Sequence, residues 1–355
     1  MDELTLVCNG HKISGWQGIR VTRGIERMPG DFEISATERY PGAADVPVQP
    51  GDTCKVLLGA DLVLTGYVDQ YIPQIQGSDH TIRIAGRGKC EDLIDCAAEW
   101  PGSQINGSTT LGIAQRIAKP YGITVSGEKG LGITQIILMY GESAWEIIER
   151  MCRYSALLAV EQPDGNLLLT HVGTATHASG FAQGQNVEIA AIAYTMDQRY
   201  SEYVALMMST NLYGDLGGGE FRLSTVKDPG CSRHRRRVII AEAQAGGQAV
   251  AIKRATWEMN RRAARSTAIR LTCDSWRDSA GKLWTPNMLA PVKLPALKLP
   301  SVSWVIGEVT YERDERGSRA HLVLMPAAAF APEPISLMPV FADVPFIPQA
   351  SAGNR

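Results

Sequence analysis

Hydrophobic and polar positions alternate in short runs over the first quarter of this chain, shift to helical spacing in the middle, and return to short runs near the end. Ile19-Arg20-Val21-Thr22-Arg23 and Phe32-Glu33-Ile34-Ser35-Ala36 alternate with period two, the mark of half-buried strands. Leu4-Thr5-Leu6-Val7 runs into Cys8-Asn9-Gly10-His11-Lys12, where Asn-Gly predicts a tight hairpin turn. Pro41-Gly42 and Gln49-Pro50-Gly51-Asp52 punctuate the next turns. Many short strands at close spacing predict a small β-barrel over residues 1–88.

Residues 89–178 read as an α+β module. Glu91 to Cys96 predicts a short helix, and Thr109 to Ala118 has helical spacing that stops before Pro120. Ser143-Ala144-Trp145-Glu146 is a capping-box sequence, in which the serine bonds the N3 amide and the glutamate reaches back. It opens an amphipathic stretch carrying Ile147, Ile148, Met151 and Cys152. Leu157 to Val160 and Leu167 to Thr170 flank Pro163-Asp164-Gly165-Asn166, which predicts a hairpin.

Residues 179–330 contain a second run of strands around a long helix from about Gln248 to Ser266. Its predicted inner stripe is Ile252, Thr256, Met259 and Ala263, with Lys253, Arg254, Arg261 and Arg262 off it. Ile269 to Cys273 then alternates as a strand. Residues 331–355 are rich in proline and predict an extended tail.

Two places echo each other. Val63-Leu64-Thr65-Gly66-Tyr67-Val68-Asp69, a polar turn around Gln76 to Asp79, and Thr81 to Gly86 form one strand-and-return pattern. Trp304 to Val309, the turn Asp314-Glu315-Arg316-Gly317, and His321 to Pro326 form the other. In both, a strand passes through Gly with Val two residues on, and a hairpin returns. The expected fold is mainly β with α+β insertions: two similar small β-barrel domains joined by an α+β module.

Composition narrows the function classes. The chain has 355 residues, 20% of them charged and 45% hydrophobic, which describes a folded protein of two or three domains. A net charge of −2 gives no global pull toward nucleic acid or an anionic membrane. No basic, apolar leader opens the sequence, and no apolar run approaches the roughly 18 residues of a membrane span. The seven scattered cysteines read as reduced, mostly buried thiols.

Candidate chemistry is sparse. Gly86-Arg87-Gly88 has the outline of a dinucleotide fingerprint, but Glu91 holds the third glycine position and would repel a pyrophosphate; a turn is the plain reading. Gly217-Gly218-Gly219 lacks a following Lys-Ser or Lys-Thr and reads as a loop. His171 and His177 lack partners at ligand spacing, so no metal is expected. The sequence has no Gly-x-Ser-x-Gly elbow and no His-Glu-x-x-His, and no catalytic or cofactor-binding residue is assigned.

Arg233-His234-Arg235-Arg236-Arg237 is the strongest local charge feature. It predicts a partner interface, a solvated loop, or contact with the phosphates of DNA passing through a channel. Arg254, Arg261 and Arg262 on the long helix, together with Trp284, complete the candidate interface or channel set.

The ordered series Trp16 to Phe32, Gly66 to Asp69, Gly86-Arg87-Gly88 with Asp92 to Asp95, Tyr121-Gly122-Ile123, Gly141 to Ala144, Asp164 to Leu167, Leu283 to Asn287, and Gly317 to Phe330 resembles the baseplate hub proteins of contractile bacteriophage tails, most closely the Mu-like hub. The fold recurs in the N-terminal part of type VI secretion spike proteins. The resemblance implies a non-enzymatic homotrimer, a ring of six similar barrels that adapts a sixfold tail tube to a threefold central spike. It implies as partners the tube, the spike, other baseplate proteins and DNA in transit. It also implies a place in the virion tail after assembly in the host cytoplasm, with no stable membrane insertion. A type VI spike base is the alternative within this architecture, and a tail-associated cell-wall hydrolase the alternative from another class.

Overall fold

The computed structural model of the chain describes residues 3–37, 48–77, 79–173, 175–207, 222–241 and 247–332. In the first segment the strands are β1 (Leu4–Cys8), β2 (His11–Ile13), β3 (Gly18–Gly24), β4 (Asp31–Thr37), β5 (Thr53–Leu58), β6 (Asp61–Gln76) and β7 (Asp79–Gly88). The β1–β2 hairpin turns on Asn9 and Gly10, both at positive φ, as Asn-Gly predicts.

The middle of the chain folds around its own core. It comprises α1 (Glu91–Asp95), β8 (Gln104–Thr109), α2 (Thr110–Ala118), β9 (Val125–Gly127), β10 (Gly132–Ile137), α3 (Ala144–Tyr154), β11 (Leu158–Glu161) and β12 (Leu167–Thr170). The expected capping box is present: Ser143 Oγ accepts from the Glu146 N–H, and the Glu146 carboxylate accepts from the Ser143 N–H. Ile147, Ile148 and Met151 of α3 pack with Ile113 and Ile117 of α2 in one buried cluster.

The remaining elements are β13 (Ala175–Thr176), β14 (Phe181–Ala182), β15 (Val187–Tyr194), β16 (Glu202–Met207), β17 (Arg222–Lys227), β18 (Arg236–Ala241), α4 (Gly247–Arg265), β19 (Thr267–Cys273), β20 (Met288–Leu294), β21 (Leu299–Asp314) and β22 (Gly317–Met325). Strands β17, β16 and β18 form a separate small sheet covered by α4, with Tyr203, Ala205, Ile239 and Ala255 between them.

The chain is mainly β with α+β insertions, as expected, but the two barrels do not close as separate units. Strands of both outer segments form one 14-stranded sheet, in the order β15-β19-β22-β21-β3-β4-β7-β6-β5-β1-β2, with β20 on the flank of β21. Their side chains share one core in which Leu4, Phe32 and Ile84 lie in the same cluster as Trp284, Ile306 and Tyr311. The physical reason is β21. At sixteen residues it is long enough for one flank to pair with β20 over its first half and with β3 over its second.

The sequence echo corresponds to a repeated topology. The path β3-β4-β7-β6-β5 is traced again as β15-β19-β22-β21-β20, antiparallel at every step. Both β6 and β21 are sixteen residues long, and each carries a register shift, between Val68 and Gln70 and between Ile306 and Glu308.

Gly86-Arg87-Gly88 is not a turn but the end of strand β7. Its glycines answer to close packing: a Cβ on Gly86 would lie 2.1 Å from the Tyr67 carbonyl oxygen and 2.6 Å from the Phe32 ring. A Cβ on Gly88 would lie 2.2 Å from the Glu161 carboxylate. The inner stripe of α4 also differs from expectation. Ile252 faces solvent, while Ala255 and Ala264 are buried and Met259 packs on the small sheet. Gly217-Gly218-Gly219, Pro41-Gly42 and the tail beyond Pro332 lie outside the described residues. All seven cysteines are free and six are buried. Among the described residues no helix is long and apolar enough to cross a membrane.

Gly86→Ala is expected to destabilise the chain by about 1–3 kcal/mol, the usual cost of overpacking a tight core. Urea denaturation checks this. An unchanged midpoint would show that β6 and Phe32 relax without cost.

Candidate assembly interface

The small sheet and α4 bring part of the basic cluster together around one aromatic ring. Tyr200 precedes β16, Arg235 comes just before β18 and Arg237 from its start, and Arg262 from the last turn of α4. Their guanidinium carbons lie 5.0, 5.8 and 5.5 Å from the Tyr200 ring centre, distances at which a cation is attracted to the ring face. Arg262 is also bonded to Glu258 at 2.6 Å and to the Gln198 carbonyl at 3.1 Å, and Arg235 donates to the Asp197 carbonyl at 2.6 Å. The cluster is thus a braced cationic surface. Arg233 and Arg236 extend it as exposed side chains, and Arg254 lies half-buried on α4.

Arg261 is elsewhere. With Arg265 it clasps Glu26 of the β3–β4 connection, and it donates to the Ala331 carbonyl while lying over the Trp257 ring. That contact fastens α4 to the first segment.

Trp284 is a core residue, 0% exposed, and presents no surface for an interface or channel. It packs on Phe181 and His177, donates its Nε1–H to the Ser275 carbonyl, and accepts at its own carbonyl from the Tyr311 hydroxyl. His177 beside it is enclosed, with Nδ1 2.9 Å from Asp278 and Nε2 accepting from the Thr285 N–H. Acceptance at Nε2 fixes the neutral tautomer with the proton on Nδ1. Burial is the main cause that pushes the His177 pKa down, although Asp278 pulls the other way. No group of three metal-ligating side chains forms among the described residues.

Glu91, outwardly an ordinary helix-start residue, is buried at the first position of α1 and lies 3.0 Å from Arg87. Burial, then the nearby Asp69, pushes its carboxyl up to about 7. A cavity of about 390 Å³ lies where the three segments meet, lined by Arg23, Asp61, Glu161 and Lys282 among others. Its carboxylates are engaged in holding the segments: Asp61 bonds Arg277, and Glu161 accepts from the Gly30 and Cys90 N–H groups at 2.7 and 3.1 Å. The arrangement fastens the middle segment to the sheet.

Two surfaces went unread in the sequence. Strand β15, with the sequence VEIAAIAY, pairs on one side with β19 and ends the large sheet, leaving Ile189 67% and Tyr194 66% exposed. Its composition was the available signal: eight residues with one charge make an open edge that natural proteins ordinarily cover or charge. The second is the tip of the middle segment, where Ile137, Met139 and Tyr140 are exposed.

Three domain families match successive stretches of the chain: the Mu phage baseplate assembly protein GpP-like N-terminal domain over residues 3–88, the second domain of gp44-like baseplate hub proteins over 90–171, and the fourth domain of the Mu GpP protein over 247–333. The chain is 28% identical to the baseplate hub protein gp44 of Escherichia phage Mu, over 96% of this chain and 90% of that one. Its structure is similar to the 43 kDa tail protein of prophage MuSo2 from Shewanella oneidensis, with a TM-score of 0.83 and 28% identity over 93% of this chain and 99% of that chain. A type VI secretion component of E. coli shares the fold at a TM-score of 0.57 and 11% identity, over 90% of this chain and 76% of that chain. The resemblance to Mu-like baseplate hub proteins read from the motifs therefore holds along the chain.

The sign of the His177 effect follows from its lowered pKa. The unfolded chain takes up a proton near pH 6.5 while the folded one resists it, so stability is full above that pH and falls as pH drops below it. Urea midpoints measured from pH 8 to 5 are expected to decline below about 6.5. In His177→Gln this part of the decline is expected to vanish.

Proposed function

We propose that this chain is a structural component of a contractile phage tail baseplate: a homotrimeric hub whose two repeated β-units per chain adapt a sixfold tube to a threefold spike. The observation that carries the reading is the near full-length similarity to the Mu baseplate hub protein, joined to an internal duplication of the sheet. A duplicated unit in a threefold assembly supplies six similar positions, which is what an adaptor between sixfold and threefold partners needs. The proposed division follows the sequence: a first unit over 1–88, a middle module over 89–178, a second unit over 179–330 and a tail over 331–355. Its place is the virion tail, with assembly in the host cytoplasm.

The partners follow from that place: further copies of the chain, tube, spike and neighbouring baseplate proteins. The cluster around Tyr200 is a candidate contact for an acidic partner surface or for DNA in transit. A non-enzymatic role fits the way the cavity carboxylates are spent on backbone N–H groups and an arginine.

Native mass spectrometry at micromolar concentration tests the assembly. A single species near three times 38.5 kDa is expected; a stable dimer would overturn the ring. Arg235→Ala with Arg237→Ala is expected to leave the unfolding free energy from urea denaturation within about 1 kcal/mol of wild type, because charge contacts near the surface contribute little to folding. A larger loss would mean that these arginines hold the small sheet together.

A further inference from the structure

One arginine stands where the strand pattern reserves an apolar side chain. Successive side chains of a strand point to opposite faces, so Ile19, Val21 and Arg23 of β3 share one row. Ile19 and Val21 are buried in the shared core, and Arg23 lies opposite buried Val309 in the joint to β21. A charged residue continues this apolar row, and it lines the cavity of about 390 Å³ where the three segments meet.

Arg23 is half-buried and makes one hydrogen bond among the described residues, from Nη2 to the Glu161 carbonyl at 3.0 Å. No carboxylate bonds it. Those nearby are committed elsewhere: Glu161 to the Gly30 and Cys90 N–H groups, Asp61 to Arg277, and Asp164 to Asn166. Burial is the main cause that draws the Arg23 pKa down, yet a guanidinium keeps its proton in a protein. A charge withdrawn from water is costly unless an opposite charge accompanies it.

A second cation lines the same cavity. Lys282, in the β19–β20 connection, has its Nζ 3.3 Å from the Met288 sulfur, a weak acceptor, and no carboxylate partner among the described residues. Arg27, also on the wall, is by contrast paired with Asp31 and Glu308. The lining thus carries two positive charges without an ion pair. One of them is a planar fork that matches the two oxygens of a carboxylate or phosphate.

We propose that this cavity binds one small free oxyanion, a carboxylate or a phosphate, held between Arg23 of the first unit and Lys282 of the second, against the wall formed by Gln162 and Pro163 of the middle segment. The anion bridges stretches that are distant in sequence, so it binds the folded chain and adds to its stability. An acidic side chain of another protein carries the same chemistry. Three segments of a single chain enclose the cavity, which favours the free ion. The site shares no residue with the arginines around Tyr200 and does not depend on how copies assemble.

The test uses the full chain, with sodium phosphate and sodium citrate as probes against sodium chloride at equal ionic strength. Calorimetric titration is expected to show saturable binding of one phosphate or one citrate per chain. Both anions also strengthen burial in general, so variants decide the site. Lys282→Ala is expected to weaken the affinity about tenfold, the loss of one charge-assisted contact, and Arg23→Gln to abolish binding. Arg235→Ala with Arg237→Ala is expected to keep the wild-type affinity. Absence of saturable binding by either anion overturns the site, as does an affinity that survives Lys282→Ala or falls with the Tyr200 arginines. A short glutamate-containing peptide that binds when neither free anion does overturns the free ion in favour of a partner's side chain. Should Arg23→Gln fail to fold, Lys282→Ala alone decides.

Discussion

Pairing between β3 and β21 is the constraint on which the rest of the molecule depends. Residues 19–24 lie antiparallel to residues 308–313, and the Thr22 and Thr310 hydroxyls meet at 3.1 Å on one face of the joint. Almost three hundred residues of chain separate these strands, so their meeting closes a very long loop. Loop-closure entropy grows only slowly with length, and a full row of backbone bonds with Val21 and Tyr311 buried behind it offsets that cost. Because the strands join, the two outer segments share a core instead of keeping one each.

The middle segment is held by a different device. Glu161, at the end of β11, is buried, and burial is the main cause that pushes its pKa up. Its carboxylate accepts from the Gly30 and Cys90 backbone N–H groups, while its carbonyl accepts from Arg23 at 3.0 Å. One residue thereby fixes the β3–β4 connection, the start of α1 and the half-buried Arg23 of the first unit. Gly88 is required beside it because any side chain there would occupy the position of that carboxylate. The hub reading gives this rigidity a purpose, since a load-transmitting part needs its segments locked in one geometry.

Surface chemistry follows the same division of labour. Charges that sit at seams, such as Arg261 and Arg265 on Glu26, or Arg277 on Asp61, join parts of one chain. The arginines around Tyr200 are braced but face outward, and exposed apolar side chains stand on β15 and on the tip of the middle segment. The interior is thus committed to holding the chain together, and the chemistry left over is suited to contact with other proteins.

The sequence by itself determined the local elements, because their causes are local. Period-two alternation at Ile19 to Arg23, the Asn9-Gly10 turn, the Ser143–Glu146 capping box and the Pro163 to Asn166 hairpin each specify structure through neighbours a few residues away. The repeat was legible in outline only: the long strand with its returning hairpin recurs, but the registers match Val68 with Ile306, which leaves Gly66 three residues out of step with Gly307. Tertiary structure alone decided that the two units fuse into one sheet, that Trp284 is core and not surface, and that Arg235, Arg237 and Arg262 converge on Tyr200. It also decided that, among the described residues, β15 ends the large sheet. Those outcomes depend on which strand edges are already occupied by partners hundreds of residues away, and no periodicity in a single chain records that occupancy.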